Sequence, residues 1–249
     1  MTRRRWIADE VEGDTAALTG EHASHLVRVL RAEIGQEFDI ATGDEEIRRG
    51  TITTISCDRV EFALDARPHR AIKAGPPATP MITLALAIFK FDRMEWAIEK
   101  CTEIGVARIV PVIARRTDAH LAAAAAKRHE RWQRMVRQAS EQSRRTAAAE
   151  IVAPVKLKDL AGALRPDALT RVVLDESLAG MEENKRLRDM LQARPSEVTL
   201  AVGPEGGWAD GELSWFHESG WLAASLGRTI LRAETAAIVA TALAMEALS

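Results

Sequence analysis

Gly203-Pro204-Glu205-Gly206-Gly207 follows directly on the apolar run Val198–Val202. A glycine-rich turn at the end of a buried strand lets a small molecule reach backbone amides without meeting a Cβ. Leu226-Gly227-Arg228-Thr229-Ile230-Leu231-Arg232-Ala233-Glu234-Thr235-Ala236 comes soon after and enters an apolar C-terminal segment with no further Gly or Pro. Together the two stretches predict a composite, nucleotide-type pocket near the C-terminus. The turn is not a P-loop, because it lacks the lysine and hydroxyl of G-x-x-x-x-G-K-[ST], and G-x-G-x-x-G is absent as well. Leu174-Asp175-Glu176-Ser177, at the end of another predicted strand, supplies a third bend that could converge on the first two.

The elements that must position these bends change character along the chain. At Ala74–Pro80, three prolines in seven residues interrupt regular structure. Ahead of it, short strand-like stretches dominate, at Arg5–Asp9, Glu37–Thr42, Arg48–Ser56 and Val60–Asp65, with one helical pattern over Glu21–Arg31. These predict a small β-barrel over residues 1–73, a linker at 74–80 and a second domain at 81–249. In that second domain the strands Met81–Ile88, Arg108–Ile113, Thr170–Leu174, Val198–Val202 and Leu222–Leu226 alternate with helices. The helices are predicted over Arg93–Ile104, Lys127–Arg144, Glu183–Gln192, Asp210–Ser219 and Ala233–Leu248. Such alternation predicts an α/β fold with a mostly parallel sheet covered on both faces. Ligands of such sheets bind beyond the C-terminal ends of the strands, where the glycine turns fall.

The 249 residues carry a net charge of −2, so the total makes no case for nucleic acid. The distribution does: residues 115–145 hold nine Lys and Arg against three Asp and Glu, whereas residues 197–249 hold two against seven. A basic strip in a mildly acidic chain suits one face meeting an anionic partner, or a solvated helix face. Cys57 and Cys101 are far apart and outside any C-x-x-C spacing, so neither a disulfide framework nor a zinc site is indicated. His22-x-x-His25 lacks further ligands at suitable spacing, so no metal is expected. No apolar run has the length of a membrane span or a signal sequence, and a cytoplasmic protein is expected.

Several motifs occur in an order that resembles the RsmE-type 16S rRNA methyltransferases of the SPOUT superfamily. They are His25-Leu26-Val27-Arg28-Val29-Leu30-Arg31, Glu99-Lys100-Cys101-Thr102-Glu103-Ile104-Gly105-Val106, Glu141-Gln142-Ser143, Gly203–Trp208 and Leu231–Ala236. The resemblance spans nearly the whole chain. It implies an N-terminal PUA-like RNA-binding barrel and a C-terminal SPOUT domain with a deep trefoil knot. It also implies a homodimer, S-adenosylmethionine as methyl donor, and methylation at N3 of one uridine in the 16S RNA of the small ribosomal subunit. Carried over by motif, Gly203, Pro204, Glu205, Gly206 and Gly207 form one wall of the cofactor pocket. Leu226, Gly227, Ile230, Leu231 and Ala236 form another, and Leu174 with its neighbours Asp175 and Glu176 forms the third. The relatives commonly carry Gly where this chain has Arg144.

Methylating a uridine N3 needs that imide deprotonated, aligned with the methyl donor and freed from stacking. Arg232 is the first candidate for a catalytic role, as a cation beside the developing imide anion, with a salt bridge to Glu234 or Glu205 as the alternative. Glu205 and Glu234 are candidate proton acceptors, or orient the loop and the helix start. Thr235 could bond the base or cap that helix. Arg3, Arg4, Arg28 and Arg31 from the barrel, with Arg115, Arg116, Arg131, Arg134, Arg144 and Arg145, are the candidate phosphate contacts. Trp208, Trp215 and Trp221 are expected in the core or at a dimer interface. Two rivals remain: a SPOUT enzyme acting on another RNA or position, such as a tRNA ribose 2′-O, and a non-catalytic RNA-binding assembly factor.

Overall fold

The structure, a computed structural model, describes residues 5–43, 46–66, 70–71, 81–164, 170–180, 186–193 and 195–248. The expected linker, together with Arg3, Arg4 and the start of the predicted helix at Glu183, lies outside the described residues. Contacts divide the chain into two units, Met1–Pro77 with Ser140–Ala148, and Ala78–Ala139 with Ala149–Ser249.

The first unit contains β1 (Trp6–Ile7), β2 (Glu10–Glu12), β3 (Thr15–Thr19), α1 (Gly20–Ser24), β4 (Glu37–Ala41), β5 (Glu46–Ile55), β6 (Arg59–Leu64) and β7 (Arg70–Ala71). Its curled sheet runs β1-β4-β5-β6-β3-β2, with β7 on β5, and is antiparallel except where β1 meets β4. β6 shows why: Val60, Phe62 and Leu64 are buried while Arg59, Glu61 and Ala63 are not, the period-two pattern of a half-buried strand. Trp6, Leu18, Leu26, Ile40, Ile52 and Phe62 fill the core. The helix expected over Glu21–Arg31 is shorter than predicted. α1 widens into a π-helical turn, His25–Val29, that buries Leu26 and leaves Arg28 exposed.

The second unit contains β8 (Met81–Ala87), α2 (Phe91–Ile104), β9 (Arg108–Ile113), α3 (Ala119–Gln142), β10 (Glu150–Ile151), β11 (Val155–Lys156) and α4 (Leu160–Ala163). It continues with β12 (Thr170–Leu174), α5 (Leu187–Met190), β13 (Glu197–Val202), α6 (Asp210–Glu218), β14 (Leu222–Ala224) and α7 (Ala233–Leu248). Its strands are all parallel, ordered β10-β9-β8-β13-β12-β14 with β11 also on β9. Helices cover both faces, which is why the central strands read as continuous apolar runs rather than alternating ones. Ile82, Leu84 and Leu86 of β8 join one core with α2, α3 and α7, while Ala85 and Ala87 join the other with α4 and α6. In the second core Trp208, Trp215 and Trp221 pack edge-on around Phe216, at centroid distances of 4.9, 5.2 and 4.9 Å. Cys101 is buried between α2 and α7 beside Thr241, and burial pushes its thiol up to about 12, so it packs as a small neutral group.

α3 begins well before the predicted Lys127. Asp118 Oδ1 accepts from the His120 and Leu121 amides at 2.8 and 3.3 Å, and the alanine tract that follows continues as helix. At the other end, Glu141 is fully buried in the first unit, where its Oε1 accepts from the Ile7 amide at 3.4 Å. Arg144 just beyond has φ +60°, and its carbonyl accepts a hydrogen bond from the Arg5 guanidinium. That left-handed conformation costs a side-chain-bearing residue roughly 1–2 kcal/mol, against the smaller entropy cost of glycine. Arg144→Gly is therefore expected to raise stability by roughly 0.5–1 kcal/mol in urea denaturation. A loss would show that the Arg144 side chain contributes more than the strain.

Candidate active site

The C-terminal ends of β12, β13 and β14 lie side by side, because β12 pairs with both of the others. The segments that follow β12 and β14 are lashed together by backbone bonds. Asp175 N donates to Ala224 O at 2.9 Å, Leu187 N to Ser225 O at 2.9 Å and Gly180 N to Gly227 O at 3.3 Å. Between the bends lies a cavity of about 340 Å³, within the range of small-molecule sites.

The glycine turn contributes Gly203, Pro204, Glu205 and Gly207 to its lining. The segment after β14 contributes Leu226, Ile230, Leu231 and Arg232, and α7 contributes Ala236. Leu174, Asp175 and Glu176 form the third side, as the sequence predicts. A Cβ on Gly203 would come within 3.3 Å of Gly207 C and of Trp208 N and Nε1. Gly207, at φ +68°, lies so close to the Glu176 carboxylate that a Cβ there would overlap it.

Four predicted site residues stand off this lining. Gly206 is exposed and turns its carbonyl to Arg116, and Gly227 accepts from Gly180. Thr235 is half-buried on α7 outside the lining, and Glu234 is buried behind it. Arg93 of α2 does line the cavity, and its Nε lies 3.9 Å from Glu234 Oε1. Arg232, for which a salt bridge to Glu234 or Glu205 is the alternative to a catalytic role, stands exposed on the lining with no ion pair to a described residue. Glu205 is exposed on the lining, and its Oε1 accepts from the Lys90 amide at 3.4 Å. Sequence reasoning missed Arg93, whose place on the wall comes from α2 packing on α7 and from no local motif.

Some of the candidate phosphate contacts are braced within the protein, and others are exposed. Arg116 Nη1 donates to the carbonyls of Gly206 at 2.6 Å and Trp208 at 3.0 Å, holding the glycine turn. Arg131, with Arg128, is paired to the buried Glu95 at 2.9 and 3.0 Å. Arg145 is half-buried, and desolvation lowers its pKa. Arg28 and Arg31 are exposed on the first unit, and Arg115 and Arg134 on the second. Arg116→Ala is expected to weaken small-ligand binding in the cavity about tenfold, from the loss of two charge-assisted bonds on the turn. Unchanged ligand affinity with weaker RNA binding would return Arg116 to the phosphate-contacting set.

A parallel sheet with a cavity at the C-terminal ends of its strands, joined in one chain to a curled, mostly antiparallel sheet, is the architecture of this chain, and its profile matches make it that of an RNA methyltransferase. The profile of the RNA methyltransferase domain matches residues 77–245, and that of the RNA methyltransferase PUA domain matches residues 18–65. The ribosomal RNA small subunit methyltransferase E of Synechocystis is 31% identical, over 92% of this chain and 72% of its own. A Legionella pneumophila protein solved in complex with the bound cofactor SAM superposes with a TM-score of 0.82 at 27% identity, covering 99% of this chain and 98% of that one. The Neisseria gonorrhoeae ribosomal RNA small subunit methyltransferase E, solved bound to S-adenosyl methionine, superposes with a TM-score of 0.75 at 27% identity, covering 96% and 95%. The chain belongs to the ribosomal RNA small subunit methyltransferase E family.

Proposed function

We propose that this chain transfers the methyl group of S-adenosylmethionine to N3 of a specific uridine in 16S rRNA, and that it works as a homodimer. The observation that carries the reading is the cavity at the C-terminal edge of the parallel sheet, where all three predicted bends meet around glycines. The lining fits the cofactor: a Cβ at Gly203 would crowd Gly207 and Trp208, one at Gly207 would collide with Glu176, and the wall combines apolar Leu174, Leu226 and Ile230 with acidic Asp175, Glu176 and Glu205. Flat apolar surface suits an adenosine, and the carboxylates suit cationic groups. When bound, S-adenosylmethionine supplies an electrophilic methyl group.

The chain's own residues supply the rest. Arg232, exposed at the lining and with no ion pair to a described residue, would meet the uracil as its imide loses a proton. Of the two expected proton acceptors, Glu205 lines the cavity and would take that proton, whereas Glu234 is buried off the lining, 3.9 Å from Arg93. Arg28, Arg31 and Arg115 are exposed cations for phosphate. For the dimer, the support is α7, which is apolar almost all round and keeps Ile238, Val239 and Leu243 only half-buried, and Trp96 of α2, which is 49% exposed. For the trefoil knot, the support is the segment after β14, tied at Gly227 to the bend after β12 and at Ser225 to the start of α5 before the chain turns into α7.

Nucleoside analysis of 16S rRNA from a strain lacking the protein tests the reading. One N3-methyluridine is expected to disappear and to return on complementation. An intact 16S pattern with a methyl group missing from tRNA would favour the ribose-methylating rival. No lost nucleoside in any RNA would favour an assembly factor.

A further inference from the structure

Two cations line the cavity, Arg232 and Arg93, and they are held differently. Arg232 sits exposed, just ahead of α7. Arg93 springs from the first turn of α2 and has a buried carboxylate beside it, since Glu234 is 6% exposed and its Oε1 lies 3.9 Å from Arg93 Nε. The other oxygen, Oε2, is buried without a hydrogen-bond partner, so the negative charge of Glu234 has Arg93 as its ion-pair partner among the described residues. A buried acid that faces one cation fixes that cation in place, because removing the pairing would strand a charge away from water.

The geometry of the pair matters. Glu234 approaches the Nε edge of the guanidinium, and no bond from the Nη1–Nη2 edge to a described residue accompanies it. That edge presents two parallel N–H donors, the fork that a carboxylate accepts in bidentate fashion. S-adenosylmethionine carries three charges, a sulfonium, an ammonium and one carboxylate. Asp175, Glu176 and Glu205 on the lining suit the two cations, and the carboxylate needs a fixed fork. We propose that Arg93 receives the α-carboxylate of the cofactor, with Glu234 as the positioning residue that holds Arg93 on the cavity wall. The proposal rests on the cavity being the S-adenosylmethionine site. The two arginines then have separate roles, in which Arg93 serves the cofactor and Arg232 is left for the base.

Titration calorimetry with S-adenosylmethionine and with its decarboxylated form, which keeps the sulfonium and the ammonium, isolates the carboxylate. The native protein is expected to bind the intact cofactor about ten- to a hundred-fold more tightly, the scale of a charge-assisted bidentate pair. In Arg93→Ala the two ligands should bind within about twofold of each other, because the difference and not the absolute affinity carries the effect. Arg93→Lys should recover part of the preference, since it restores the charge without the fork. A preference that survives intact in Arg93→Ala overturns the assignment, as does an equal loss of both ligands with the ratio preserved. Native protein that binds neither ligand brings down the cofactor site itself, which is a different result from either.

Discussion

Arg232→Ala is expected to slow methyl transfer by about a hundred- to a thousand-fold, the scale seen when one preorganised donor to a developing anion is removed. Cofactor affinity in the same variant should change by less than about threefold. The split follows from placement. Arg232 lines the cavity but is exposed, and no acid among the described residues pairs with it. A cation in that state has most to gain when negative charge develops on a base brought to it, and little to gain from a ligand whose carboxylate is held elsewhere. Single-turnover rates on 16S RNA fragments, set beside calorimetry with S-adenosylmethionine, measure the two quantities separately. Equal losses in both would make Arg232 a wall of the cavity.

How much of this was legible in the sequence depends on where each signal resides. β8, β9, β12 and β13 were readable because strands buried on both faces leave uninterrupted apolar runs, and α7 because its Ala-rich segment has no Gly or Pro. The hairpin of β2 and β3 was not read. Glu10–Glu12 is exposed at every position and so shows no alternation, and its pairing with Thr15–Thr19 comes from the backbone ladder. The early start of α3 was written in Asp118 and the alanine tract, a cap and a helix former that could equally belong to a flexible approach. In the site, the bends after β13 and β14 were visible because glycine leaves its own mark, and the bend after β12 only from its place at the end of an apolar strand. The roles of Arg93, Arg116 and Glu234 were hidden, since each depends on a partner from a distant element: Arg93 on Glu234, and Arg116 on the carbonyls of Gly206 and Trp208. Charge patterning can find a basic strip, but it does not say which of its members already hold the protein together.

The two glycines at the end of the turn make the sharpest contrast. Gly207→Ala is expected to weaken S-adenosylmethionine binding at least about thirtyfold, whereas Gly206→Ala, one residue away, should be nearly neutral. At Gly207 the backbone has φ +68°, which costs an L-residue roughly 1–2 kcal/mol, or about five- to thirtyfold if all of it falls on the binding-competent form. The new methyl would also overlap Glu176 Oε1 and stand 2.6 Å from its Cδ, so Glu176 must swing away. Glu176 is exposed and can move, but it lines the cavity, and its displacement removes a carboxylate from the wall. At Gly206 the nearest atom to a new Cβ is Arg116 Cδ at 3.5 Å, an ordinary contact on the outer side of the turn. Calorimetry on both variants, with thermal melting as a check on folding, tests the difference. Adding Glu176→Ala to Gly207→Ala should restore stability only in part, because truncating the acid relieves the collision and leaves the φ strain. Equal effects at the two glycines would mean that the turn acts through its flexibility and that the close approach of Gly207 to Glu176 does not shape the cofactor wall.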